Sequence, residues 1–499
     1  MTIMQTITQE VLALTSGNQH YQNYRDRWKY LLESYLGGEE YRQSGHLTRY
    51  KLETPEEYAD RLASTPLENH CASVISVYNS FLFREEPDRE LGMLGEMSEV
   101  SDLLEDADLE GTSFNSFMKD VSVWSNVFGH CWVIVSKPNV GAATRADEIV
   151  IGVRPYLSIL SPLVVLDWQW KRTIAGRYEL NYIKYVEEVN GDVQVIKEWY
   201  RDRIITSEVD VNKKKIISSF EEPNQLGLIP AVIAYNKKST VRGIGVSSIT
   251  DIADAQRFIY NATSEVEQSI RLDSHPSLVK TNETQAGIGA GSLINMPDNL
   301  DPGLKPYALE FSGASVESIY SSIRHTVEAI DKMANTGAVR ATESRQMSGI
   351  AMITEFQLLN AKLSEMADNL ELAEEQIWQL IAWYQGQEWT GCIEYPGSFN
   401  ISDSQSEFQQ LAQARSAATD PRVLAVIDHK IVDLLGEDPN LVLGEEPGET
   451  PATEAVDAMA KRPEEVIKMI DPTTGDVQII TNQEQYIQLA NQGYVEYKD

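Results

Sequence analysis

The longest helical pattern in the sequence runs from Ile350 to Tyr384. Apolar residues recur there every three to four positions, which is the period of an amphipathic helix; they include Ile353, Phe356, Leu359, Leu363, Met366, Leu370, Ile377 and Leu380. At about 1.5 Å per residue, such a helix is roughly 50 Å long. The sequence therefore predicts a single long helix in this region.

Two shorter helical patterns precede it and enclose a module of a different kind. The first spans residues 246–272 and the second residues 315–334, which contain neither glycine nor proline. Between them, residues 273–313 have Pro and Gly between short apolar runs, and we expect short strands and loops there. The order helix, small module, helix, polar loop and very long helix is the most informative feature of the chain.

The N-terminal part of the chain shows helical spacing over residues 17–130. One predicted helix ends at Gly37-Gly38 and another at Gly129, because glycine is the usual residue after a helix C-terminus. Thr65 followed by Pro66 has the pattern of a helix start, with the cap first and proline at the first helical position.

The spacing changes to that of strands over residues 130–235. Short runs rich in Val, Ile, Tyr and Trp are separated by turn residues, and residues 148–160 are one of these predicted strands. Asn190-Gly191 between two alternating runs predicts a β-hairpin. A block of helices followed by a block of antiparallel strands indicates an α+β fold.

The last hundred residues are predicted to be helical first and acidic afterwards. Two helical stretches lie on either side of Asp420-Pro421, and residues beyond Gly436 are acidic with Pro, Gly and Thr. Such a composition is typical of a linker or disordered stretch. Residues 471–494 add the pattern of a hairpin and a short helix.

Composition excludes several classes of protein. The 499 residues leave room for about two to four domains, and they carry a net charge of −33, which repels nucleic acid at long range. That charge has two explanations: solubility alone, or a surface that lets DNA pass without holding it. No apolar run is long enough for a membrane span and the N-terminus lacks a secretory pattern. Cys71, Cys131 and Cys392 are expected to be buried thiols.

The sequence offers little support for an enzyme. It has no phosphate-binding P-loop, no nucleophile elbow and no His/Cys spacing for a metal, so no cofactor is predicted. Gly287–Ser292 (GIGAGS) resembles part of a dinucleotide fingerprint but does not open a helical pattern, which favours a turn. Catalytic residues that meet only in the fold would not be visible here.

Four stretches of the chain resemble the portal proteins of tailed bacteriophages. They are HCASVISVYNSFLFREEP (70–87), RPYLSILSPLVVLDW (154–168), GIGVSSITDIADAQRFIYNATSEVEQSI (243–270) and RQMSGIAMITEF (345–356). The resemblance lies in the order of the segments and in their general residue pattern over about residues 20–390. It implies a ring, usually of twelve subunits, at one capsid vertex, through which double-stranded DNA is packaged and ejected.

The resemblance also implies a division of the chain into named parts. Residues 1–245 would form a mixed helical and antiparallel-β wing, 246–272 and 314–334 a two-helix stem, and 273–313 a small α/β clip. Residues 335–349 would be a tunnel loop, 350–401 a long wing helix with a return strand, and 402–499 a helical crown with an acidic tail. The implied partners are terminase, a head–tail adaptor, and the major capsid or scaffold protein, in a virion assembled in the host cytoplasm without a membrane.

Two groups of candidate site residues follow from this division. The tunnel loop would place Arg340 and Arg345 near DNA phosphates, tempered by Glu343; its members are Gly337, Val339, Arg340, Glu343, Arg345, Ser348 and Gly349. The clip would bind terminase and adaptor through Gln285, Ile288, Leu293 and Asn295.

Each of these interpretations has an alternative. Arg340 and Arg345 would not meet DNA if they pair with Glu343 or with carboxylates of a neighbouring subunit. The stem carboxylates expected on solvent or channel faces are Asp251, Asp254, Glu265, Glu267, Glu317, Glu328 and Asp331. For the whole chain, the rivals are another head–tail structural or adaptor protein, and a soluble enzyme with an unrecognised site.

Overall fold

The computed structural model describes residues 10–138, 140, 145–274, 277–282, 284–286, 294–296, 298, 301–309, 314–340, 349–399, 404–418, 421–434, 468–470, 477–479 and 495–497. The chain divides into two compact units, Met1–Asn400 and Ile401–Asp499. Each unit contains both helices and antiparallel strands, so the α+β class is confirmed.

The helices of the first unit agree with the predicted periodicity along most of the chain. Residues 10–15 are helical as well. In chain order the labelled helices are α1 (Gln19–Leu36), α2 (Gly38–Gln43), α3 (Pro55–Ser64), α4 (His70–Leu82), α5 (Ser98–Glu105), α6 (Phe114–Phe128), α7 (Arg145–Ile151), α8 (Thr250–Ser274), α9 (Ala314–Ala334), α10 (Gly337–Arg340) and α11 (Gly349–Tyr384). The first unit also contains the 3₁₀ turns Gly92–Glu96 and Pro302–Leu304.

Where the structure describes the first unit, its strands form five antiparallel sheets. They are β1 (Asp88–Glu90), β2 (His130–Ser136), β3 (Tyr156–Leu160), β4 (Val165–Arg172), β5 (Tyr178–Asn190), β6 (Val193–Tyr200), β7 (Arg203–Asp210), β8 (Lys215–Pro223), β9 (Ala231–Tyr235), β10 (Ser277–Val279), β11 (Gln285–Ala286), β12 (Ile294–Asn295), β13 (Tyr307–Leu309) and β14 (Cys392–Glu394). The sheet orders are β3-β2-β9, β4-β5-β6-β7-β8, β1-β14, β10-β13 and β11-β12. The predicted Asn190-Gly191 hairpin joins β5 to β6, with Gly191 at φ 61°.

One large hydrophobic core connects most of the described helices to the three-stranded sheet. Strand β2 is buried along its whole length, because α-helices cover the sheet that it centres. The largest fully buried side chains include Trp28 of α1, Trp132 of β2 and Trp378 of α11. The ring of Phe114 lies 4.8 Å from that of Trp378, which packs α6 against the longest helix. This core fixes one side of α11 and leaves the other side for further contacts.

A buried polar network holds α11 to the sheet β1-β14. The carboxylate of Glu374 is fully buried and accepts hydrogen bonds from Arg89 at 2.6 Å and from the Tyr395 hydroxyl at 2.6 Å. The indole N–H of Trp378 donates to the same carboxylate at 3.2 Å. Because every one of these polar groups has a partner, the charge of Glu374 can be buried without a large penalty.

Two predicted element boundaries were wrong. Thr65 does not begin a helix: it follows the end of α3 and donates its hydroxyl to the Arg61 carbonyl at 2.7 Å, and Asn69 caps α4 instead. Residues 148–160 are not one strand, because α7 occupies their first part. Gly152 at φ 80° ends that helix, and the Val153 N–H donates to the Glu148 carbonyl at 2.9 Å.

The expectation of three buried cysteines was also wrong for one of them. Cys71 and Cys131 are buried, whereas Cys392 is exposed. Strand β14 turns Ile393 toward the core, so the residues on either side of Ile393 point outward.

The helices α8 and α9 are antiparallel neighbours joined through the two small sheets. The described part of residues 273–313 contains the strand pairs β10-β13 and β11-β12 and the 3₁₀ turn Pro302–Leu304. Among the described residues, no helix is long and apolar enough to cross a bilayer.

The described residues of the second unit form two helices and one small sheet. Helices α12 (Ser404–Ala417) and α13 (Pro421–Leu434) match the two stretches expected around Asp420-Pro421. They are linked by an ion pair between Arg415 and Asp428 at 2.6 Å. Strands β15 (Lys468–Ile470), β16 (Val477–Ile479) and β17 (Val495–Tyr497) form a sheet in the order β16-β15-β17.

Candidate functional site: the junction after α9

Helix α9 ends in a hydrogen-bonded C-terminal turn. Asn335 adopts φ 58°, in the left-handed region that asparagine tolerates better than most residues. The N–H of Asn335 donates to the Lys332 carbonyl at 3.3 Å, and the N–H of Thr336 donates to the Asp331 carbonyl at 3.0 Å. This is the Schellman pattern that closes a helix C-terminus.

Tyr78 of α4 and Lys362 of α11 meet at the same point. The Tyr78 hydroxyl donates to the Ala334 carbonyl at 2.6 Å and accepts a hydrogen bond from the Lys362 ammonium at 2.6 Å. Burial raises the pKa of Tyr78, and burial lowers the pKa of Lys362 to about 8. Three helices are therefore tied together where α9 ends.

Arg340, at the end of α10, contacts residues of α9 and α4 at this junction. Its guanidinium donates to the Asp331 carboxylate at 2.9 Å and to Nδ1 of His70 at 2.9 Å. Because arginine only donates, His70 Nδ1 must be the acceptor, and the ring is neutral. Burial, and secondly the charge of Arg340, lower the pKa of His70. The arrangement fixes the first turn after α9 to α4.

The structure therefore changes the expectation for the first part of the tunnel loop. Gly337, Val339 and Arg340 lie in the helical turn α10, and Arg340 is occupied by Asp331 and His70 instead of being free for phosphate. Gly349 begins α11. Glu343, Arg345 and Ser348 lie outside the described residues, so the part of the loop that would approach DNA stays a prediction.

The carboxylates of the two stem helices are arranged largely as expected. Asp251, Asp254, Glu265, Glu317 and Glu328 are exposed, and Glu267 is partly exposed. Asp331 is the exception, since only 8% of it is exposed. The expectation of a solvent or channel face for Asp331 was wrong, because its carboxylate is the partner of Arg340.

The N-terminal segment anchors α8 through a buried arginine that sequence patterns did not single out. Arg61 of α3 forms an ion pair with Glu53 at 2.7 Å and donates to the Ser264 hydroxyl of α8 at 3.0 Å. Gln256, also on α8, accepts from the Cys71 N–H at 2.9 Å and donates to the Ser34 carbonyl at 3.0 Å. Neither residue belongs to a motif, and the contacts Arg61–Ser264 and Gln256–Ser34 join residues 203 and 222 positions apart in the sequence.

The described residues of the small module between the stem helices include two of the predicted clip residues. Gln285 and Asn295, two of the four predicted clip residues, are directly opposite each other in β11 and β12. Ile288 and Leu293 lie outside the described residues. A role of this module in docking stays a prediction.

Side chains that could bind a metal ion do not cluster in the described part of the chain. There, no group of three or more His, Cys, Asp or Glu side chains is arranged to hold a metal ion. Lys362, whose pKa is lowered to about 8 by burial, donates a hydrogen bond to the Tyr78 hydroxyl.

Comparisons with known proteins give structural likenesses at low sequence identity. No protein-family model matches the chain, and no curated protein matches it either. A chain from the neck of an empty gene transfer agent (GTA) particle, computed with C6 symmetry, is 12% identical, with a TM-score of 0.46, and covers 81% of this chain and 100% of its own length. A chain from the virion of a native GTA particle is 11% identical, with a TM-score of 0.41, and covers 80% of this chain and 98% of its own length.

A third chain, from the neck of a native GTA particle computed with C12 symmetry, is 11% identical, with a TM-score of 0.43. It covers 82% of this chain and 99% of its own length. All three TM-scores are below 0.5, and we draw no functional conclusion from them.

Proposed function

We propose that this chain is the subunit of a portal ring, through which double-stranded DNA enters and leaves a phage-like capsid. The observation that carries the proposal is the pair of stem helices α8 and α9. Of the 21 residues of α9, only Ile330, Asp331 and Ala334 are recorded as buried, and they lie in its last two turns. Among the described residues of α8, none beyond Val266 is buried.

Such a helix pair needs additional partners. Large apolar side chains on it are exposed, namely Phe258, Ile270, Tyr320 and Met333. Isolated helices are marginal in water unless an apolar face is covered. A ring of copies supplies that cover on both sides of every pair, which is the simplest arrangement for a projecting stem.

The charge of the chain fits a conduit for DNA. A channel wall that bound phosphate tightly would stop the duplex, and counterion release makes each cation contact strong at low salt. The exposed stem carboxylates and the net charge of −33 give a surface that repels phosphate. Arg340 is a cation that could otherwise bind phosphate, but it forms an ion pair with Asp331.

The remaining parts of the proposal follow from the resemblance described above. Twelve subunits would close the ring, the module between α8 and α9 would bind terminase and the head–tail adaptor, and the capsid or scaffold protein would contact the wing. The ring would be assembled in the host cytoplasm and reside at a capsid vertex. The protein would perform no catalytic step itself.

Electron microscopy of the purified protein in negative stain tests the proposal directly. We expect rings with an axial hole wide enough for a DNA duplex, and a particle mass by native mass spectrometry that is a multiple of one chain. Compact monomers over the whole range of protein concentration, salt and scaffold addition would overturn it.

A further inference from the structure

A groove with both apolar and polar walls runs along the side of α11 that the core leaves free. Its cavity has a volume of about 530 Å³. Leu372, Gln376 and Trp383 of α11 form one wall, and Trp170, Tyr178 and Ile233 of the facing sheets belong to the other. Leu372 is 45% exposed and Trp383 is 43% exposed, so the groove is open to solvent.

The helix wall of this groove has an unusual composition for this protein. Its exposed residues are Leu372, Gln376, Gln379 and Trp383, which recur at the spacing of one helix face and carry no charge. In a chain with 75 acidic residues, an exposed helix face without a carboxylate is suited to contact another surface.

The rim of the groove is basic. Arg177, in the turn between β4 and β5, lines the groove. Lys171 and Arg172 end strand β4, no acidic residue separates them from Arg177 in the sequence, and all three are exposed. Arg242 lies over the ring of Tyr178 at 3.7 Å. Within the described part of the chain, none of these cations forms an ion pair. Glu179, the nearby carboxylate, is paired with Arg201 at 2.7 Å.

A surface with the opposite charge lies on another side of the same helix. Strand β14 places Cys392 opposite Glu90 of β1, with Glu394 pointing outward two residues later. Glu371 of α11 accepts from the Tyr395 N–H at 3.2 Å, which brings a third carboxylate to this sheet. Met93, in the turn after β1, is 55% exposed and adds an apolar side chain.

We propose that the groove of one subunit binds the β1-β14 surface of the next copy in the ring. Leu372 and Trp383 of the groove would cover Met93, and the cations Arg177 and Arg242 would face Glu90 and Glu394. The inference rests on the proposed function and names the contact by which that ring would close.

One chain cannot make this contact with itself. Glu371 and Leu372 are consecutive on α11, so the two surfaces are separated by about 100° around the helix. Two different surfaces that bind each other between copies form a head-to-tail contact, which closes into a ring when the rotation allows it. The cation rim would also be paired in the ring, which the described residues of a single chain do not achieve.

Cross-linking through the native Cys392 tests the contact. The variant Gln376→Cys places one thiol in the groove, and a short bis-maleimide is added to the full-length protein under conditions in which it assembles. A head-to-tail contact joins each groove to the Cys392 of the next copy, so denaturing gels should show a ladder well beyond the dimer. A ladder that stops at the dimer would contradict a head-to-tail contact.

Two control variants make the result specific. Gln376→Cys with Cys392→Ser should lose the ladder, and Ile217→Cys, an exposed position on the edge strand β8, should form none with Cys392. Circular dichroism of each variant checks that it folds. Rings without a ladder in the Gln376→Cys variant would overturn this contact and leave the portal proposal standing, whereas absence of rings in the unmodified protein would overturn both.

A charge exchange gives an independent test. Arg242→Glu should raise the protein concentration for half-assembly by about tenfold at low salt. Adding Glu394→Arg should recover much of that loss, because the two charges would again be opposite. An equal effect of Arg242→Glu with and without Glu394→Arg would show that these residues do not face each other.

Discussion

The hydroxyl of Tyr78 lies 2.6 Å from the carbonyl oxygen of Ala334, which is 256 residues further along the chain. This contact joins α4 to the last residue of α9, at the point where the second stem helix stops. Lys362 approaches the same hydroxyl from α11 at 2.6 Å. The position of the turn after α9 therefore depends on one phenol that serves two partners.

Replacing Tyr78 with phenylalanine should destabilise the protein by about 1–3 kcal/mol, because the Ala334 carbonyl and the Lys362 ammonium lose a buried partner. Urea unfolding at one fixed protein concentration measures the change. Tyr320→Phe, which removes a hydroxyl from an exposed side chain of α9, is the matched control and should change stability by less than about 0.5 kcal/mol. Adding Lys362→Met to Tyr78→Phe should recover part of the loss; equal effects of the two Phe variants would contradict this account.

Arg340→Ala is expected to act on stability rather than on DNA. The substitution leaves the buried carboxylate of Asp331 without its cation, at a cost of about 2 kcal/mol or more. Thermal unfolding of Arg340→Ala alone and together with Asp331→Asn checks this, since the second change removes the unpaired charge and should restore most of the stability. If Arg340→Ala leaves unfolding unchanged but alters DNA packaging, the ion pair does not hold in the assembled protein and the original expectation for Arg340 returns.

Sequence patterns predicted the elements of this fold better than they predicted its contacts. Helical spacing located α8, α9 and α11, because an apolar stripe repeats within one segment and needs no knowledge of the partner. The cap at Asn69 was missed in favour of Thr65, whose local pattern was equally good. What decided between them was the Asn69 side chain, which donates to the Tyr35 carbonyl at 2.8 Å while capping α4.

The assignment of Arg340 shows the same limit at the candidate site. A Gly/Ser/Thr/Arg composition predicts a polar loop, but it carries no information on a histidine 270 residues away. Side-chain contacts between distant segments depend on the packing of whole helices, so they have no local signal. The end of α9 after Ala334, by contrast, does have a local signal, because Asn335 stands where the chain needs a positive φ.

His130 should make stability depend on pH in the mildly acidic range. It is fully buried, and burial lowers its pKa to about 3, whereas in the unfolded chain its pKa is about 6.5. Below pH 6.5 His130 is protonated in the unfolded chain but stays neutral in the folded protein. Stability therefore falls as pH decreases. Between pH 7 and 5 the contribution is about 2 kcal/mol. The fall measured by urea unfolding should be smaller by that amount in His130→Gln, and identical pH profiles would contradict the buried neutral ring.

Arg61 should determine how firmly α8 is held to the N-terminal helices. Only 2% of its side chain and 6% of that of Glu53 is exposed, and Arg61 also donates to Ser264. Arg61→Ala removes the cation and leaves Glu53 buried, so we expect a loss of about 3 kcal/mol and faster amide hydrogen exchange in residues 255–268. Arg25→Ala is the control, because its ion pair with Asp26 is exposed and should contribute little. Unchanged exchange along α8 in the Arg61 variant, in protein that remains folded, would mean that Gln256 and the apolar contacts hold the helix without this arginine.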